Sequence, residues 1–230
     1  MSLGSLFSGI GGFELGLERS GLFRTAWQVE INPFCRAVLA KHWPHVERFA
    51  NVQDCGRHNL AAVDAVCGGF PCQDVSQASH GAGDGLDGDA SGLWYEYARI
   101  IGELQPRLVL VENVMGGAER RWLPAVRRDL HVLGYRTRAI RIDARDVGAP
   151  HARARIFVVG HADRDGQPAR AVHAPVAGLP PVAELGGHWR ETAPRALRMD
   201  DGLPDGVDRV EALGNAIVPQ CAELLARILG

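Results

Sequence analysis

Short apolar runs alternate with amphipathic stretches along most of this chain. Leu3 to Phe7 is a largely apolar run that leads into Ser8-Gly9-Ile10-Gly11-Gly12, and Phe13, Leu15, Leu17 and Leu22 follow at partly helical spacing. That pattern predicts a strand, a glycine turn and a helix. A second strand is predicted over Thr25–Val29, ending at Glu30, and a helix over Pro33–His42, with Asn32 as N-cap and Pro33 at the first helical position. Further strands are expected at Asp64–Cys67, Leu108–Val111, Tyr135–Ile142 and Ile156–Gly160, with helices at Leu93–Leu104, Trp122–Leu133 and Val218–Leu229. Alternation of this kind predicts an α/β fold with a doubly wound, Rossmann-like sheet whose ligands sit at the carboxyl ends of the strands.

Two stretches break the pattern. Ser76–Ser91 is polar and contains Gly81, Gly83, Gly85 and Gly88, which fits a functional lid better than a regular element. From His161 to Arg209 six prolines interrupt every helical pattern, so this segment reads as a small irregular insertion in the sheet domain.

Composition narrows the class. With 230 residues, 46% of them hydrophobic, the chain can bury the core of one domain plus a small appendage. Its longest apolar runs fall far short of the roughly 20 residues of a membrane-spanning helix. The start lacks the basic flank and apolar stretch of a secretory signal, and the five cysteines have no metal-type spacing. A cytoplasmic protein with no membrane or metal partner is expected. Net charge is −2, yet residues 120–170 hold 12 Arg against 5 Asp. This is either the footprint of a phosphate backbone or, since Lys41 is the only lysine, a general preference for arginine.

The candidate chemistry lies at strand ends. Cys72 follows the strand Asp64–Cys67 in the loop Gly68-Gly69-Phe70-Pro71-Cys72-Gln73, where glycine and proline expose and stiffen a thiol that can act as a nucleophile. Cys35, Cys55, Cys67 and Cys221 read as small buried hydrophobes. Glu112, directly after Leu108–Val111, is a carboxylate at the end of a buried strand, costly unless paired or working. Arg153 and Arg155 precede the strand Ile156–Gly160 and, by alternation, point to one face. Glu30 lies about 20 residues after the glycine turn, the interval at which a second-strand carboxylate takes a ribose hydroxyl.

With these motifs in this order, the chain resembles the cytosine-C5 DNA methyltransferases, as a short member with a reduced target-recognition region. Phe7-Ser8-Gly9-Ile10-Gly11-Gly12 is similar to the family's cofactor loop and Glu30 to its ribose-binding acid. Gly69-Phe70-Pro71-Cys72-Gln73 resembles the nucleophile motif, Glu112-Asn113-Val114 the substrate-binding motif, Arg153-Ala154-Arg155 the arginine motif and Gly214-Asn215-Ala216-Ile217-Val218-Pro219 the final motif. The resemblance implies a pocket for S-adenosylmethionine completed by Ile31, Asn51, Val52, Pro71, Leu93, Asn215 and Ala216. It also implies Cys72, Glu112, Arg153 and Arg155 as catalytic residues, and a monomer acting on a cytosine flipped out of double-stranded DNA. Asn51 stands where the family commonly has an Asp toward the adenine amino group, with Asp54 as the alternative; His151 and Ala152 replace polar and basic residues usual before the two arginines.

In this reading residues 1–160 and 210–230 form the catalytic domain and 161–209 the target-recognition region. Gln73, Ser76, Trp189, Arg190, Arg195 and Arg198 are then the expected DNA contacts, Trp189 being equally readable as a local core residue. An RNA-directed enzyme of the same chemistry and a non-catalytic DNA-binding relic are the competing readings. A nicotinamide-binding enzyme is disfavoured because Ser8–Gly12 lacks the G-x-G-x-x-G spacing.

Overall fold

The computed structural model describes residues 1–71, 92–116, 122–163 and 214–229. The elements, in chain order, are β1 (Ser2–Leu6), α1 (Gly12–Arg19), β2 (Arg24–Val29), α2 (Pro33–His42), β3 (Glu47–Phe49), β4 (Ala65–Gly69), α3 (Gly92–Leu104), β5 (Leu108–Val114), α4 (Leu123–Val132), β6 (Tyr135–Asp143), β7 (Ala154–Ala162) and α5 (Pro219–Leu229). They build one seven-stranded sheet in the order β3-β2-β1-β4-β5-β7-β6. Strands β1 to β5 pair in parallel, and β7 runs antiparallel between β5 and β6.

The apolar runs are continuous because the sheet is covered on both faces. Along the central strands Leu6, Val66, Val109 and Val111 face one apolar layer, which includes Trp94, Tyr97 and Ile101 of α3 and Val126 and Leu130 of α4. Leu3, Ala65, Cys67, Leu108 and Leu110 face the other, filled by Phe13 and Leu17 of α1 and Leu224 and Leu225 of α5. Cys35, Cys55, Cys67 and Cys221 are buried and form no disulfide among the described residues, as their apolar settings suggested.

The predicted helix Pro33–His42 forms with those bounds because Asn32 Oδ1 accepts hydrogen bonds from the backbone N–H groups of Phe34 and Cys35, at 2.8 and 3.2 Å, and Pro33 occupies the first turn. Two differences matter for the site. Strand β3, three residues long, has too little pattern to be read in the sequence. Strand β5 runs on past Val111 through Glu112 and Asn113 to Val114, so two polar side chains sit inside a buried strand, with Glu112 registered between Gly69 of β4 and Phe157 of β7.

Candidate active site

Order reversal between β1 and β4 puts a crevice at the carboxyl ends of the strands, where open α/β sheets hold their ligands. A cleft of about 630 Å³ lies there, within the range of small-molecule sites. It is lined by Phe7, Ser8, Gly9 and Gly12 after β1, Glu30 and Ile31 after β2, Asn51 and Val52 after β3, Pro71 after β4, Leu93 of α3, Glu112 of β5, Arg155 of β7, and Asn215 and Ala216 before α5. Ile10 and Gly11 are not among its lining residues; Gly11 opens α1 and packs against Trp43. Asp54 is not among them either, so of the two alternatives after β3 it is Asn51 that reaches the cleft.

The loop after β1 is held from two sides. Glu30 Oε2 accepts the N–H of Gly9 at 2.7 Å and Oε1 that of Asn32 at 2.8 Å, so the carboxylate fixes both strand-end loops across the cleft. Gly12 presses on the final motif: a Cβ there would lie 2.1 Å from the carbonyl oxygen of Ile217. Arg153 Nη2 donates to the carbonyl of Ala216 at 2.9 Å and ties the arginine motif to the same segment.

The chemistry-bearing end of the cleft is built around Glu112. Its carboxyl group is buried, and Arg155 Nε stands 2.8 Å from Oε1 as an ion pair, although that oxygen accepts no aligned hydrogen bond. Burial pushes the Glu112 carboxyl up to about 7, against the downward pull of Arg155 and then Arg153. Arg153 is itself pulled below its ordinary value by burial and by the charge of Arg155. Gly69 makes room for the carboxylate, since a Cβ at that position would lie 2.6 Å from Glu112 Oε2. Asn113, quoted above only as part of a motif, has a distinct task. Its Nδ2 donates to the carbonyl of Phe70 at 3.1 Å while its Oδ1 accepts the N–H of Val114 at 2.7 Å, tying the strand end that carries Glu112 to the Phe70-Pro71 segment. The available signal was a second polar residue inside an apolar strand.

Cys72, Gln73 and Ser76, the stretch Ser76–Ser91, and Trp189, Arg190, Arg195 and Arg198 lie outside the described residues. Among the described residues, no group of three His, Cys, Asp or Glu side chains is arranged to hold a metal ion, and no helix is long and apolar enough to cross a membrane.

The family model for C-5 cytosine-specific DNA methylases matches residues 1–178. The chain belongs to this family. Similar proteins include the type II methyltransferase M2.BsuMI of Bacillus subtilis (strain 168), 37% identical in an alignment that covers 69% of this chain and 41% of the relative. The type II methyltransferase M.FnuDI of Fusobacterium nucleatum is 32% identical over 70% of this chain and 46% of its own length. The chain thus spans less than half the length of these two relatives. Among solved structures, a prophage-encoded candidate DNA modification methyltransferase (E. coli) superimposes with a TM-score of 0.58 at 28% identity, over 70% of this chain and 47% of the other. The Dnmt2 methyltransferase of S. pombe shares the fold, with a TM-score of 0.58 at 17% identity over 73% of this chain and 50% of the other.

Proposed function

We propose that this protein transfers a methyl group from S-adenosylmethionine to carbon 5 of a flipped cytosine in double-stranded DNA, through a covalent adduct with Cys72. The observation that carries the reading is Glu112: a buried carboxyl raised to about 7, paired with Arg155, in a cleft shared with a glycine loop and a strand-end carboxylate. The residues fit the cofactor. Glu30 would hold the ribose hydroxyls, Phe7, Ser8 and Gly9 would follow the chain of the methionine half, and Asn51 and Val52 would border the base, with Gly9 leaving open space where a side chain would stand. When bound, S-adenosylmethionine supplies an electrophilic methyl group.

Carbon 5 of cytosine is a weak nucleophile, and the remaining residues answer that. The Cys72 thiolate adds to carbon 6, forming a C–S bond and pushing the ring electrons toward carbon 5 and N3. Glu112 in its protonated form hydrogen-bonds N3 and relieves the charge that builds there, which a carboxyl poised near neutral pH can do. Arg155 holds the ring carbonyl oxygen, and Arg153, anchored on Ala216, keeps the arginine segment in place. Carbon 5 then takes the methyl group; a base removes the proton left on carbon 5, the C–S electrons return to sulfur, and the 5–6 double bond reforms. Residues 1–160 and 210–230 do this chemistry, and 161–209, with Trp189, Arg190, Arg195 and Arg198, contribute base contacts in DNA.

Bisulfite sequencing of plasmid DNA from cells expressing the chain tests the reading, because it reports activity, base and context together. Protected cytosines in one short sequence context are expected with the native chain and none with Cys72→Ser. A covalent complex with 5-fluorocytosine DNA, which cannot lose its substituent at carbon 5, is expected for the native chain alone. Full conversion of every cytosine in both samples would overturn the proposal.

A further inference from the structure

One side chain on α3 reaches away from its own helix to hold a wall of the cleft. Arg99 Nη2 donates to the carbonyl of Cys55 at 2.8 Å and to that of Val52 at 3.3 Å. These carbonyls belong to a short 3-10 turn, Val52–Asp54, and to the residue that ends it. The guanidinium is held in turn by two carboxylates of the same helix: Glu96, 2.7 Å from Nη2, and Glu103, 2.6 Å from Nη1. Glu103 reaches further, because its Oε2 accepts the backbone N–H of Arg57 at 2.9 Å and its backbone carbonyl receives the Arg57 side chain. The segment from Val52 to Arg57 is therefore fastened to α3 at three backbone points. Gly56 fits this clamp closely, since a Cβ there would lie 2.5 Å from Glu103 Oε2 and 3.3 Å from Arg99 Nη1.

An exposed i,i+4 ion pair stabilises a helix by only about 0.3–0.5 kcal/mol and needs no distant partner. Arg99 instead adds a charged donor to the Val52 carbonyl, which already accepts the N–H of Cys55 at 3.1 Å within the turn, and to the carbonyl of Cys55 itself. Ala50, Asn51 and Val52, which enter that turn, line the cleft. In the sheet order they lie one strand outward from Glu30, so a nucleoside whose ribose meets Glu30 after β2 presents its base to the residues after β3.

We propose that Arg99, braced by Glu96 and Glu103, is a positioning residue for the base-binding wall of the cofactor site. The inference rests on the S-adenosylmethionine reading above and adds which part of the cofactor the clamp serves. Because the wall meets the base and not the transferred group, loosening it weakens binding of the nucleoside half and leaves chemistry in the saturated enzyme in place.

The test is calorimetric titration of S-adenosylmethionine, and separately of adenosine, into the native chain, Arg99→Met and Gly56→Ala. Arg99→Met is expected to raise both dissociation constants about tenfold, because it removes both charge-assisted hydrogen bonds that hold the wall. Gly56→Ala, which crowds the Glu103 carboxylate most closely and His58 Nδ1 and Arg99 Nη1 less so, is expected to raise both about threefold, and it decides the matter even where Arg99→Met fails to fold. In steady-state methylation the Arg99→Met effect is expected in KM for the cofactor, with kcat at saturating cofactor within about twofold of native. Native adenosine affinity in a folded Gly56→Ala or Arg99→Met chain would overturn the inference, as would a fall in kcat with KM unchanged. A native chain that binds neither ligand would instead overturn the cofactor reading itself.

Discussion

Glu14 and Glu112 are both buried against this sheet, and the charges beside them differ. Glu14, on α1, is fully buried; Oε1 accepts a hydrogen bond from Gln28 Nε2 at 3.2 Å and Oε2 accepts none. Burial raises its pKa, opposed only by its own backbone N–H, the hydroxyls of Ser5 and Ser8, and Gln28. Glu112 is raised by the same burial, but Arg155 and Arg153 hold it near 7. Burial alone therefore pushes a carboxyl toward its protonated form; burial with cations beside it leaves one at about 7, poised to titrate in the working range. Glu112 also lines the cleft, which Glu14 does not.

The largest effect that can break this comparison is on turnover. Glu112→Gln should lower kcat by about 10² to 10⁴, the usual contribution of a positioned acid, while Glu14→Gln should stay within about threefold of native, measured as tritium transfer to DNA under saturating conditions. Equal losses in the two variants would show that both glutamates serve the structure alone. Arg155→Met sharpens the point, since removing the nearest cation lets desolvation raise Glu112 further. The limb of its kcat/KM profile that reports Glu112, expected to fall as pH rises through about 7 in the native chain, should move to higher pH.

A second effect is on stability. Glu112 has an ordinary value of 4.5 when exposed by unfolding and about 7 when folded, so between those pH values the folded chain binds more protons than the unfolded one. Its contribution is fully present below about 4.5 and is lost as pH rises through about 7, roughly 3 kcal/mol at most. Urea midpoints should fall from pH 5 to pH 7.5, and Glu112→Gln should flatten much of that slope. A native midpoint that rises over this interval would contradict the assigned direction.

The contrast between the two glutamates was only half legible in the sequence. Glu112 stood out because it interrupts a run of four apolar residues at a strand end, where a carboxylate has to be explained. Glu14 sits between Phe13 and Leu15 in an amphipathic helix and reads as an ordinary polar position; only the tertiary packing of α1 over Ser5 and Gln28 buries it. The same distinction runs through the fold. Strands β4 and β5 were legible because both of their faces are buried and the runs Ala65–Cys67 and Leu108–Val111 are unbroken, and β1 and β2 because shorter apolar stretches lead into the glycine turn and Glu30. Strand β3 was not, because its three residues are partly exposed and pair with β2 through the backbone. In the site, Glu30 could be placed by its spacing from the glycine turn. The tasks of Asn113 and Arg99 could not, because each acts on a backbone carbonyl distant in the chain, and such contacts leave no periodic trace.

The smallest effect is the most specific to Glu14. If its carboxyl is neutral in the folded chain, Glu14→Gln replaces one neutral, planar group with another of nearly the same size, and the amide oxygen can still accept from Gln28 Nε2. At pH 5 the urea midpoint should therefore match the native one within about 0.5 kcal/mol. At pH 8 the variant should be the more stable of the two, because unfolding lets native Glu14 ionise, which favours the unfolded chain, whereas the amide gains nothing. Glu14→Ala should cost about 1–3 kcal/mol at both pH values, since it strips the Glu14 acceptor from Gln28 Nε2 and leaves a void in the core. A Glu14→Gln chain destabilised as much as Glu14→Ala would mean that the native group is ionised despite its burial, and that Glu14 and Glu112 differ in more than the cations beside them.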